Sequence, residues 1–297
     1  MEIIRKTDIS YEDFINNHVK AGVPLIFTNA TKNWSGMKEF SLEWFKEKFG
    51  DRVTDFEGNK YTMNEVVDLV NKSTPENPAP YPITFDVPKQ LPELLEYVNP
   101  IDLGYAKPNW LDSNLFQKGH WGYATEIFFG GRGVKFPYVH LDYYHLSAWV
   151  TMVVGQKEFT VFPRGQDEYL YPEPGNNFRS DLNIFNPDYE KYPKFKNATP
   201  IHFVLNPGET LYIPFGIWHS AHALTPSVSI AFDHLSAENT WPFVKDVYYL
   251  KKRMGKVKAF LTAIYAFIAC YICRISDVFG IKRQLINERF DPKKIKS

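Results

Sequence analysis

Phe136-Pro-Tyr-Val-His140-Leu-Asp142 and, four residues later, Ser147-Ala-Trp-Val-Thr-Met-Val-Val154-Gly155-Gln-Lys157-Glu-Phe-Thr-Val-Phe162 decide how this chain is read. Residues 147–154 and 158–162 are rich in β-branched and aromatic side chains and are separated by a glycine-containing turn, the pattern of paired strands. In extended backbone, residues i and i+2 face the same side, so His140 and Asp142 share a face while Leu141 turns away. His219 follows Asp142 by 77 residues. It stands between Glu209-Thr-Leu-Tyr-Ile-Pro214 and Val228-Ser-Ile-Ala-Phe232, two further strand-like runs, and sheet folds bring such distant strands side by side. Two imidazoles and one carboxylate on one face of an ion leave the opposite coordination positions open, as in non-haem Fe(II) oxygenases. The spacing therefore predicts a metal centre built by His140, Asp142 and His219, which are also the expected catalytic residues.

Other residues of suggestive type are weighed by their context. His145, His222 and His234 lie near the ligands in sequence and are expected to surround the centre without ligating it. His18, His120 and His202 carry no expectation. Trp149, Trp218 and Tyr144 sit in strand-like runs, which leaves open whether they line the pocket or fill the core. Gly130-Gly-Arg-Gly133 lacks the strand-loop-helix context of a phosphate cradle and reads as a turn.

The order of further motifs resembles the JmjC, cupin-like group of Fe(II)- and 2-oxoglutarate-dependent oxygenases, and within it the asparaginyl hydroxylase branch. The residues carrying the resemblance are Gly155-Gln-Lys157-Glu-Phe-Thr-Val-Phe-Pro163, Tyr169-Leu-Tyr-Pro172, Asn186-Pro-Asp-Tyr-Glu-Lys-Tyr-Pro-Lys-Phe195, Asn206-Pro-Gly-Glu-Thr-Leu-Tyr-Ile-Pro214 and Trp218-His219. Upstream, Gly22-Val-Pro-Leu-Ile26, Trp34 and Phe49-Gly-Asp51 are similar to the family's N-terminal extension, so the likeness runs over roughly residues 2–250. It implies a mostly β fold with flanking helices: a double-stranded β-helix (jelly-roll) core at about 120–237, an N-terminal α/β extension and C-terminal helices. It also implies Fe(II), 2-oxoglutarate as co-substrate and O2. By position, Lys157 resembles the lysine that pairs with the far carboxylate of 2-oxoglutarate, and Tyr81 a tyrosine bonded to the same carboxylate. The chain departs from the pattern in having Phe136-Pro-Tyr-Val139 where a threonine precedes the first ligand. Tyr138, Thr151 or Ser229 would then supply the hydroxyl, and Asp233 stands near a family asparagine beside the co-substrate.

The resemblance implies hydroxylation of an amino-acid side chain in a protein or peptide, with release of succinate and CO2, and demethylation of lysine is less favoured. Two other readings stay open: a small-molecule hydroxylase, and a non-catalytic cupin that binds a metal or ligand.

With 297 residues the chain can bury a substantial core, and its formal net charge of zero names no partner. Its two cysteines, Cys270 and Cys273, have no second pair, which predicts neither a disulfide framework nor a zinc site and favours a reducing, cytoplasmic compartment. Met1-Glu-Ile-Ile-Arg-Lys6 lacks an apolar stretch of signal-peptide type. Ser10 ahead of Asp13 predicts a capped helix start, Val23–Thr28 a buried strand and Thr62–Asn71 a helix. Ser73–Pro92, with six prolines, reads as a connector that carries Tyr81 toward the site. The tail, residues 251–297, holds twelve Lys or Arg against three Asp or Glu. An expected boundary at Leu250 therefore separates the oxygenase domain (1–250) from a basic helical tail (251–297). Within it, Ala259–Cys273 is uncharged for fifteen residues, short of the about 20 a spanning helix needs. The tail is expected to form a homodimer or packing helix, with contact to a membrane surface as the next reading and nucleic acid as the least favoured.

Overall fold

In the computed structural model, residues 2–116, 121 and 125–281 are described; His120 and residues 282–297 of the basic tail lie outside them. The N-terminal third supplies β1 (Ile4–Lys6), α1 (Tyr11–Phe14), β2 (Leu25–Phe27), α2 (Leu42–Phe49), β3 (Val53–Phe56), β4 (Asn59–Thr62), α3 (Met63–Lys72), β5 (Ile83–Asp86) and α4 (Val87–Gln90). The central part supplies β6 (Thr125–Gly130), β7 (Val139–His140), β8 (Ser147–Val154), β9 (Lys157–Phe162), α5 (Asp167–Leu170), β10 (Arg179–Ser180), β11 (Ile201–Leu205), β12 (Thr210–Ile213), β13 (Trp218–Ala223) and β14 (Ser227–His234). Two helices follow, α6 (Thr240–Lys251) and α7 (Lys256–Val278).

Local chemistry sets several of these boundaries. The Ser10 side chain accepts from the Asp13 amide, and Thr62 with Glu65 forms a reciprocal capping box that starts α3. The β8–β9 turn needs Gly155, whose φ is +67° and where an added Cβ would lie 2.0 Å from the Pro226 carbonyl oxygen. The proline-rich segment departs from its reading as a pure connector. Ile83–Asp86 alternates buried and half-buried residues and pairs antiparallel with β6 as the sheet's edge strand. Edge placement tolerates the flanking Pro82 and Pro88, because only one side of the strand needs donors.

A seven-stranded sheet, ordered β1-β2-β12-β8-β14-β6-β5, faces a five-stranded sheet, β10-β7-β13-β9-β11. This is the jelly-roll of the expected fold class, with helices flanking it. Along β8, Trp149 and Val153 pack outward against the N-terminal helices, whereas Ala148 and Met152 face the second sheet. The outward cluster centres on Phe14, whose ring lies 4.9–5.7 Å from those of Tyr212, Trp149, Phe27 and Tyr105. A further cluster joins α6 and α7 to Trp110, Leu111, Phe116, Trp121 and Tyr144. Helix α6 ends at Lys251, beside the expected boundary at Leu250.

Phe14→Ala should lower unfolding stability by about 3–5 kcal/mol, read as a fall in the urea midpoint; an unchanged midpoint would remove the cluster from its central place.

Candidate metal centre

The centre starts from one cross-strand contact. His140 on β7 and His219 on β13 are direct antiparallel partners, with ring centroids 4.2 Å apart. Asp142 follows β7 in extended conformation (φ −62°, ψ 136°), which returns its side chain to the face of His140. Its Oδ1 lies 3.9 Å from His140 Nε2 and 3.8 Å from His219 Nε2. The three donor atoms are within 4.8 Å of one another and none is hydrogen-bonded to another. His219 Nδ1 donates to the Ile217 carbonyl at 2.9 Å, which leaves the Nε2 lone pair facing the shared centre. Phe136 stacks on the His140 ring, centroids 4.5 Å apart.

Burial shifts the ionisable groups of the donor set. Burial holds the His140 imidazole well below its usual range, which favours the neutral form that a metal ligand needs, while burial raises the Asp142 carboxyl. A divalent ion would supply the positive charge that this convergent donor set lacks, and the set suits the facial triad of non-haem iron.

The loop after Asp142 is clamped from α6. His145 Nδ1 meets Asp246 Oδ2 at 2.5 Å, and Asn239 Nδ2 donates to the His145 carbonyl at 3.0 Å. Tyr144 and His145 both have positive φ, 61° and 46°, so this turn is strained and held by its partners. Nothing in the local sequence marked Asp246 or Asn239 for that task.

From the triad a cavity of about 340 Å³ extends between the sheets to Lys157. Lys157 is 2 % exposed, rare for a lysine. Its Nζ donates to Ser229 Oγ at 2.8 Å and to Tyr81 Oη at 3.3 Å, and among the described residues no carboxylate is within ion-pair reach. Burial lowers its pKa to about 7. Lys157 pairs with Ala223 and His219 with Val161, four residues apart on each strand. This separation of about 13 Å suits a five-carbon dicarboxylate plus the lysine side chain. Ser229 lies at a register shift between β14 and β8, where a bulge re-aims side chains.

The remaining expected residues fall in different places. Asp233 lines the cavity; burial, then the charges of Asp142 and Glu126, raises its carboxyl well above the usual range. Thr151 is on the outward face of β8, bonded to Thr210 Oγ1 at 2.8 Å, and is not among the cavity's lining residues. Tyr138 stands beside the centre, its ring 5.6 Å from that of His140 and 4.5 Å from the Arg179 guanidinium, also outside the lining. Trp149, Trp218 and Tyr144 fill core clusters. His222 is 3.8 Å from Glu158, and His234 Nε2 lies 3.1 Å from the Pro108 carbonyl. Glu126, Phe128, Ala148 and Ala231 line the cavity without having been singled out from sequence; the alternation of residues 125–130 was the available signal for the first two.

A family model described as a cupin-like domain matches residues 11–237. Lysine-specific demethylase 8 of Xenopus tropicalis is 26 % identical over 241 residues, covering 75 % of this chain and 50 % of that protein. Arginine-specific demethylase JMJ20 of Arabidopsis thaliana is 24 % identical over 273 residues, 80 % of this chain and 58 % of its own length. HSPB1-associated protein 1 of Homo sapiens is 32 % identical over 133 residues, 40 % of this chain and 27 % of that one. The chain spans about half the length of the first two.

Anaerobic Fe(II), or Mn(II) as a redox-stable substitute, should stabilise the protein by about 2.7 kcal/mol at a hundredfold excess over Kd. Asp142→Ala should abolish the shift in melting temperature, and a shift that persists would remove Asp142 from the ligand set. Affinity for 2-oxoglutarate should be level below pH 7 and fall as pH rises beyond it. Above that pH the free Lys157 amine is neutral, and a bound carboxylate that raises its pKa must bring a proton with it. Calorimetry in buffers of different ionisation enthalpy would measure that uptake; pH-independent affinity would exclude an ion pair at Lys157.

Proposed function

The chain belongs to the cupin-like, JmjC-type oxygenase family, and from that premise we propose that it is an Fe(II)- and 2-oxoglutarate-dependent oxygenase that hydroxylates an amino-acid side chain of a protein or peptide. The observation that carries this reading is one cavity with His140, Asp142 and His219 at one end and a buried, acid-free Lys157 at the other. When bound, iron would supply the redox chemistry by which 2-oxoglutarate, O2 and a C–H bond become succinate, CO2 and a hydroxylated product.

The chain's own residues would bind and position. Lys157 offers the far carboxylate a compact positive charge, and the hydroxyls of Tyr81 and Ser229, which now partner Lys157, supply hydrogen bonds at the same end. Phe128, Phe136 and Phe159 line the cavity and keep water from that ion pair, which strengthens it. Ala148, Ala221 and Ala231 leave volume between the sheets for a substrate group. The stacked Phe136 and the Ile217 carbonyl hold the two imidazoles in ligating orientation.

A second reading, removal of a methyl group by hydroxylation of its carbon, is supported by relatives named as lysine- and arginine-specific demethylases. Asp233 and Glu126 line the cavity with carboxyls that burial raises, and a cationic nitrogen brought beside them would favour their charged forms. The two products are distinguishable: hydroxylation adds one oxygen atom to the peptide, whereas demethylation removes a methylene unit and releases formaldehyde.

Incubation with Fe(II), 2-oxoglutarate and peptide libraries, followed by mass spectrometry and a succinate assay, tests both. His140→Ala and Asp142→Ala should abolish succinate formation, and Lys157→Ala should raise the KM for 2-oxoglutarate at least about tenfold, an about 1.4 kcal/mol loss. Undiminished turnover by Asp142→Ala would overturn the oxygenase reading. Oxidation of metabolites with no peptide product would move the substrate to a small molecule.

A further inference from the structure

Helix α7 is built inside out for a helix in water. The face it buries carries small side chains, Ala259, Ala263, Ala266, Ala269, Cys270, Cys273 and Ser276, while its large apolar residues face outward. Phe260, Leu261 and Tyr271 are 58–60 % exposed, and Ile264, Phe267, Ile268, Ile272 and Ile275 are exposed with them. At about 100° per residue these residues, with the exposed Val257 and Val278, cover an arc of about 140°. No charged residue interrupts it between Ala259 and Cys273. An apolar surface of this width must be covered by something.

Three observations choose among its possible covers. On the same wheel, Lys256 and Arg274 fall at one border of the arc and Lys258 at the other, where long basic side chains can lay their stems on apolar ground and keep their charges in water. Lys251, Lys252, Arg253, Lys256 and Lys258 crowd the entry to the helix without an intervening acid, and Lys282 and Arg283 follow in sequence. A wide, uncharged arc with basic borders matches the interface of an anionic bilayer; one partner helix would cover only a narrower seam.

The helix is also long and apolar enough to cross a membrane. Its small-residue face, however, is engaged: α7 packs along α6, Tyr265 Oη donates to the Leu115 carbonyl at 2.7 Å, and Trp110 Nε1 donates to Asp277 Oδ2 at 2.6 Å. Those contacts hold it against the domain and turn the arc outward.

We propose that α7 lies in the plane of an anionic lipid bilayer, its outward apolar arc in the acyl boundary and its basic border on the headgroups, so that the catalytic domain is held at a membrane surface. The small-residue face stays on α6. The attraction has an apolar and an electrostatic part, so binding requires anionic lipid and weakens with salt.

Co-sedimentation of the full chain with vesicles of phosphatidylcholine, with and without phosphatidylserine, tests this. The wild type should sediment with the anionic vesicles and weaken about tenfold or more between low and high salt. Ile264→Glu combined with Ile268→Glu should abolish binding, and Lys256→Glu combined with Lys258→Glu should lower affinity for anionic vesicles about tenfold or more. Neither pair is buried, so unchanged circular dichroism and melting temperature should accompany the loss. A monodisperse wild type that stays in the supernatant with both vesicle types overturns the proposal. So does a stable dimer in solution that ignores vesicles and dissociates in the Ile264/Ile268 variant, because a second copy then covers the arc.

Discussion

Strands in a sheet lie about 4.8 Å apart, so side chains directly opposite each other on adjacent strands reach a common point. The pairing of His140 with His219 uses that constraint to converge two imidazoles. A one-residue slip of β13 would turn Trp218 inward and His219 out into the cluster that Trp218 now shares with Phe162 and Leu170. Register in the five-stranded sheet is therefore the condition for the donor set. The layers around it defend that register: β9 pairs with β13 over six residues, and β10, drawn from the long loop after Tyr171, closes the outer edge of β7.

A second pattern runs through the cavity. Burial drives four of the ionisable groups there toward their uncharged forms: Lys157 and His140 downward, Asp142 and Asp233 upward. Such groups are costly to hold charged until opposite charges arrive. A dication at one end and a dicarboxylate at the other would supply both.

Much of this was legible in the sequence for reasons of local geometry. The i, i+2 spacing of His140 and Asp142, the strand runs beside them and the glycine-turned strand bearing Lys157 each translate directly into placement. Other features resisted because sheet pairing is non-local. Ile83–Asp86 is too short and too proline-flanked to read as a strand until β6 is known to lie beside it. Thr151 was an ambiguous choice because β8 is covered on both faces, which blurs the alternation that would assign its hydroxyl to the outer side. The uncharged run 259–273 understated α7, since Lys256, Lys258 and Arg274 lie within the same 23-residue helix instead of ending it.

The origin of Tyr81 has a practical meaning for modularity. The hydroxyl that meets Lys157 comes from the segment ahead of β5, whereas Lys157 and Ser229 belong to the central strands. The N-terminal third also contributes β1, β2 and β5 to the larger sheet. A jelly-roll excised at residue 125 would keep His140, Asp142 and His219 yet lose one wall of the pocket and three strands of its sheet. The barrel is thus not a transplantable cassette: a chimera that grafts it onto another N-terminal region would inherit the His140, Asp142 and His219 cluster while redesigning the surroundings of Lys157.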